Sequence, residues 1–153
     1  MESKNPKPFG TKVIGRYSLR PFEPSKIGIP IRRLSSRRIR IAHHAIDVIE
    51  KHLQRFQYPL AMPERVMLNR LRKITDGKLS ATTQDLNFYA HELREFARYK
   101  WLGFAAGQGD DYELWNDLHT ATLEDYGLRE NLDDLYENPL YHWEAAIFIS
   151  RRA

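Results

Sequence analysis

The chain is 153 residues long, with 42% apolar and 29% charged residues, which is enough for one domain to bury a core without staples. It has no cysteine, which excludes a disulfide framework, a thiolate metal site and a cysteine nucleophile, and no apolar run approaches the roughly 20 residues of a membrane span. The net charge of +4 is uneven: residues 1–80 carry 18 Lys and Arg against 6 Asp and Glu, and residues 81–153 carry 6 against 14. A basic half attracts a phosphate backbone. An acidic half suits a metal site, acid–base chemistry or a basic partner, unless the two halves simply neutralise each other.

Residues 1–33 read as an irregular, basic N-terminal segment, because five prolines and Gly10, Gly15 and Gly28 break any long helix. The first ten residues lack the apolar core of a signal peptide, so any export signal is expected elsewhere, on a larger parent chain. Thr11–Tyr17 and Ile27–Ile31 are the candidates for extended structure. Residues 34–153 read as a helical domain. Ser35 or Ser36 is the expected N-cap of a first helix over 36–57, with Ile39, Ala42, Ile46, Ile49, Leu53 and Phe56 inward and Arg37, Arg38, Arg40, Lys51 and Arg55 outward. Tyr58-Pro59 ends it. Pro63 opens a second helix over 63–75, stopped by Asp76-Gly77.

Thr82 or Thr83 caps a third helix, lined by Leu86, Tyr89, Leu93 and Phe96 and closed by Gly103. A fourth spans 110–126 and stops at Gly127. After the Asn138-Pro139 turn, residues 140–149 suit a last helix or a buried strand, with Glu-Ala-Ala favouring helix. The expected fold class is therefore mainly α, a single helical domain with an irregular basic arm.

The richest chemical cluster is Phe88-Tyr-Ala-His-Glu-Leu-Arg-Glu95. His91 and Glu95 stand four apart and share a helix face, with Glu92 one step round and Arg98 extending the ridge. The bland reading is a solvated face of ordinary ion pairs. The chemical reading is an imidazole tuned by carboxylates for acid–base work. His119 on the fourth helix and His142 after the proline turn are further imidazoles, and His44 suits phosphate; His52 reads as a surface residue. The zincin pattern His-Glu-x-x-His is broken, because Glu95 stands where the second histidine belongs. No phosphate-binding glycine loop, nucleophile elbow or calcium loop is present.

A ribonuclease needs neither metal nor cofactor when the substrate's own 2′-hydroxyl attacks its phosphate; the protein supplies a base, an acid and cations. His91 and His119 fit the acid and base, with Glu92 and Glu95 orienting them and Tyr141 and His142 completing the site. Arg37, Arg38, Arg40 and Arg98 fit the phosphate contacts.

The segment Asp85-Leu-Asn-Phe-Tyr-Ala-His-Glu-Leu-Arg-Glu95, the downstream His119-Thr-Ala-Thr-Leu-Glu-Asp-Tyr-Gly127 and the closing Leu140-Tyr-His142 together resemble a family of C-terminal toxin domains of bacterial polymorphic and contact-dependent growth inhibition toxins. Trp143 stands where that family has proline. The resemblance implies a domain secreted at the end of a larger toxin, acting in the cytoplasm of a target bacterium, cutting RNA such as tRNA, and neutralised by a cognate immunity protein. The leading expectation is thus a metal-independent toxin ribonuclease. Two alternatives stay open: a non-enzymatic nucleic-acid or protein-binding module, and a metal-dependent nuclease or peptidase using His91 and Glu95.

Overall fold

The computed structural model describes residues 11–104, 108–130 and 132–135. The domain is mainly α, as the periodicity predicts. A small hairpin pairs β1 (Val13–Ile14) antiparallel to β2 (Pro21–Phe22), with Val13 opposite Phe22. A single 3₁₀ turn at Pro24–Lys26 follows. The helices are α1 (His43–Gln54), α2 (Met62–Thr75), α3 (Thr83–Trp101), α4 (Tyr112–Tyr126) and the one-turn α5 (Leu132–Leu135).

Helix α3 is the axis of the fold and touches α1, α2, α4 and α5. Its start is set locally. Thr82 Oγ1 accepts from the Asp85 backbone N–H, and the Asp85 carboxylate accepts from the Thr82 N–H, a reciprocal cap. Arg70 on α2 then grips the buried Asp85 with two hydrogen bonds of 2.9 and 2.8 Å, tying the second helix to the start of the third. Asp111 caps α4 through the Leu114 N–H. Gly127 ends α4 in the left-handed region at φ 63°, where a side chain would be strained.

Two apolar clusters flank the axis. Ile46, Ile49, Leu53, Met67, Leu68, Leu71 and Phe88 fill the space between α1, α2 and α3. Phe22, Ile27, Tyr99, Leu118 and Ala121 pack the N-terminal segment against α3 and α4. Between them α3 buries polar groups rather than apolar ones: His91, Glu92, Glu95 and Arg98 are all buried.

Three expectations need correction. The first helix starts at His43, not near Ser36. Residues 34–42 form a strap whose polar groups are taken up by neighbouring elements. The Leu34 N–H donates to the Asp125 carbonyl, Ser36 Oγ donates to Asn87 Oδ1, and the Ala42 N–H donates to Tyr89 Oη. Those bonds compete with the helix and win because Ser36 and Asn87 are both buried. Arg37, Arg38 and Arg40 therefore sit exposed on a strap, not on a helix face.

Ile27–Ile31 is also not a strand. The Ile29 and Pro30 carbonyls accept from the guanidiniums of Arg98 and Arg94, so side chains replace a ladder. Finally, Arg98 does not face substrate. It is fully buried, 2.5 Å from Asp125 Oδ2 and 2.8 Å from Thr122 Oγ1, and it tethers the N-terminal segment. The expected element at 140–149 lies outside the described residues.

Candidate metal centre

Three helices bring the titratable groups together. His91, Glu92 and Glu95 come from α3, His119 from α4 and His52 from α1. Glu95 is the hub. Its Oε1 lies 2.7 Å from His52 Nε2, and its Oε2 lies 3.0 Å from His119 Nδ1 and 3.9 Å from His91 Nε2. The His91 and His119 rings meet edge to face, with centroids 4.7 Å apart.

Hydrogen-bond partners fix which atoms are free. Arg55 Nε donates to His52 Nδ1 at 3.1 Å, so the neutral His52 ring carries its proton on Nε2 and donates it to Glu95. His91 Nδ1 faces Glu92 Oε2 at 3.4 Å, while His91 Nε2 is buried with no hydrogen-bond partner among the described residues. His119 Nε2 lies 2.5 Å from Glu130 Oε1. His91 and His119 thus each have one nitrogen on an outer carboxylate and the other turned toward Glu95 Oε2.

These ligand atoms, His91 Nε2, His119 Nδ1 and Glu95 Oε2, form a group within 4.8 Å of one another. Zinc bonds of about 2.0–2.1 Å to nitrogen and oxygen put tetrahedral ligand atoms about 3.3 Å apart. The observed 3.0 and 3.9 Å bracket that spacing. Two histidines and a carboxylate are a common donor set for catalytic divalent ions that keep open positions. The outer carboxylates Glu92 and Glu130 hold each ring in the tautomer that presents its other nitrogen. His52, Glu92 and Glu95 form a second close group. Because its Nε2 carries the proton, His52 is better suited to positioning Glu95 than to ligating.

Without an ion, a proton on His119 Nδ1 faces the ionised Glu95 Oε2. Burial pulls the His119 pKa down, but the hydrogen bonds to Glu130 and Glu95 outweigh it and push it up to about 9. Burial pushes Glu95 up, and the hydrogen bonds from His119 and His52 hold it well below the usual carboxylate range. Glu130 is lowered in the same way, with burial opposed by His119.

The centre opens into a cavity of about 680 Å³. Glu64, Glu92, Glu95, Asp110 and Glu130 line it, with no lysine or arginine among the described lining residues. Trp115 stacks on His119 at 4.4 Å and 17°, and Tyr112 lies 5.7 Å beyond Trp115 at the mouth.

The expected metal-independent ribonuclease is overturned by this arrangement. His91 and His119 are not a separate acid and base flanking a phosphate. They converge with Glu95 into a ligand-like group, and among the described residues no lysine or arginine lines the cavity for a phosphorane. Glu95 stands where the zincin pattern has its second histidine, and His119 from α4 lies beside it as a third potential donor.

Arg37, Arg38 and Arg40 do not line the cavity, and Tyr141 and His142 lie outside the described residues. Sequence reading placed His52 on the surface, yet it is fully buried. Its place three after Ile49 and four before Phe56 puts it beside the apolar stripe, and that was the signal to follow. Arg55, read as outward, is buried, its guanidinium carbon 4.3 Å from the Tyr99 ring centroid. Glu130 carried no sequence signal, because its role depends on the turn after Gly127. No family model, curated protein or solved structure matches the chain.

Proposed function

We propose that this domain is a metal-dependent nuclease in which His91 Nε2, His119 Nδ1 and Glu95 Oε2 hold one divalent ion at the inner end of the cavity. The carrying observation is the buried His91 Nε2, left without a hydrogen-bond partner among the described residues and 3.9 Å from Glu95 Oε2. A buried ring nitrogen in that condition costs stability unless something binds it. A bound divalent ion would polarise the scissile phosphodiester and activate water. Glu92 lines the same cavity, and its Oε1 has no hydrogen-bond partner among the described residues. It is placed to take the water's proton. Glu130 and His52 keep the ligands in register.

Nucleic acid is favoured over peptide by the strap. Arg32, Arg33, Arg37, Arg38 and Arg40 are all exposed within nine residues. A polycationic strap outside an ion-holding cavity recruits a polyanion and repels a basic chain. With the resemblance to polymorphic-toxin domains, RNA in a target cell is the substrate we put first, and an immunity protein the expected antagonist. A peptidase is the second reading, favoured by the acidic lining, which suits a basic side chain.

Incubation of purified protein with total RNA tests both. The proposal expects cleavage that EDTA stops, that zinc or manganese restores, and that His91→Ala and His119→Ala abolish. Undiminished cleavage in EDTA overturns it, and metal-dependent cleavage of a lysine-containing peptide but not of RNA selects the second reading.

A further inference from the structure

Beyond the ion, the cavity has features that hydrolysis alone does not use. Tyr112 is 64% exposed at its mouth, and a ladder of rings runs inward from it through Trp115 to His119, with centroid steps of 5.7 and 4.4 Å. Acceptors line the wall beside that ladder. Asp110 is exposed, and the Glu92 side chain is nine-tenths buried with Oε1 lacking a hydrogen-bond partner among the described residues. In the absence of an ion such a wall disfavours a phosphate and accepts hydrogen-bond donors. The described lining contains no lysine or arginine to offset it.

We infer that this ledge is a nucleobase subsite, which takes one unstacked base of a single strand on the Tyr112 ring, with the base's exocyclic amino group donating to Asp110 or a neighbouring carboxylate. The occupant has flat π faces for stacking and N–H donors for acceptors. The phosphodiester next to that base would be left to the ion-holding group rather than to the acidic wall. A duplex keeps its bases stacked and presents none to the ledge. The inference refines the nuclease reading by naming the strand type and the base class, and rests on it only for the choice of a nucleic acid as ligand.

Cytidine and uridine separate the two halves of the argument, because a C4 amino donor in one replaces a carbonyl acceptor in the other. Both are uncharged, so EDTA-treated full-length protein can be used and the ion plays no part. Titration followed by tryptophan fluorescence should give saturable quenching by cytidine, at least fivefold tighter than by uridine. Tyr112→Phe should keep that binding, Tyr112→Ala should weaken it at least tenfold, and Asp110→Asn should narrow the cytidine preference. Tyr112 is exposed, so its replacement leaves the core intact, which circular dichroism checks.

Three results would overturn the inference: no quenching by either nucleoside at millimolar concentration, equal binding by Tyr112→Ala, or displacement of cytidine by equimolar N-acetyl-arginine amide. Cytidine binding in a protein without metal-dependent cleavage removes the nuclease reading and leaves the subsite. Metal-dependent cleavage without nucleoside binding does the reverse.

Discussion

At the scale of single residues, the account assigns different tasks to side chains that look alike. Under the proposed mechanism Glu95 ligates, Glu92 takes a proton, and Glu130 orients His119. Glu130→Gln should therefore weaken zinc affinity by about 10–100-fold, the usual cost of losing an outer partner of a metal-bound histidine. Glu92→Gln also loses the contact to His91 Nδ1, so it should weaken zinc affinity to a similar extent and, with zinc saturating, lower kcat by about 10²–10⁴ besides, the usual worth of a general base. Isothermal titration paired with steady-state kinetics at saturating zinc reads both, and an equal loss of kcat in the two variants would deny the division of labour. Sequence reasoning marked His91 and Glu95 as sharing a helix face, because spacing shows that, and named His119 only as a further imidazole. It could not show that α4 delivers His119 to the same carboxylate oxygen as His91, since that depends on how two helices pack. It misjudged Arg98 for the same reason: a charge at helical spacing reads as solvated until a buried Asp125 is found beside it.

At the scale of elements, stability rests on α3 and on what ties other segments to it. Asp125 is the strongest tie. It accepts from Arg98, Arg94 and the Arg32 backbone N–H, all at or below 3.1 Å. Removing one partner of a buried pair leaves the other charge uncompensated, at a cost of about 3–5 kcal/mol. Asp125→Ala should lower the denaturation midpoint by that measure and speed amide exchange in residues 29–34. An unchanged midpoint would mean that the tie is not structural. By contrast, Thr82→Ala removes only a cap from α3 and should cost about 0.5–2 kcal/mol. Helices α2, α3 and α4 were legible because their caps and stops are local: Pro63, Thr82 with Asp85, and Gly127. The start of α1 was not, because Ser36 is a good cap in isolation and is diverted by Asn87, fifty-one residues away.

At the scale of the whole molecule, charge separates into an arginine strap and an acidic cavity. Replacing Arg37, Arg38 and Arg40 together by alanine should weaken nucleic-acid binding and flatten its salt dependence by about 2 in the log–log slope. An unchanged slope in a filter-binding assay would take the strap out of the interface. The pH dependence of the metal-free fold follows from the paired groups. The His119 pKa is raised from 6.5 to about 9, so its contribution is complete below 6.5 and is lost as pH rises through 9. Glu95 is lowered from 4.5, so its contribution is complete above 4.5 and is lost as pH falls. Thermal melts of EDTA-treated protein should therefore peak between those limits and decline on both sides, and a melt flat from pH 6 to 10 would contradict the pairing.

An ion replaces the proton on His119 Nδ1, so added zinc should stabilise most at alkaline pH. The most direct measurement is zinc titration by calorimetry into wild-type protein and His119→Ala, in two buffers of different ionisation enthalpy. The account predicts one ion per chain, proton release on binding, and affinity at least about 100-fold weaker in the variant. Absence of binding to the wild type, or equal affinity in both proteins, would contradict it.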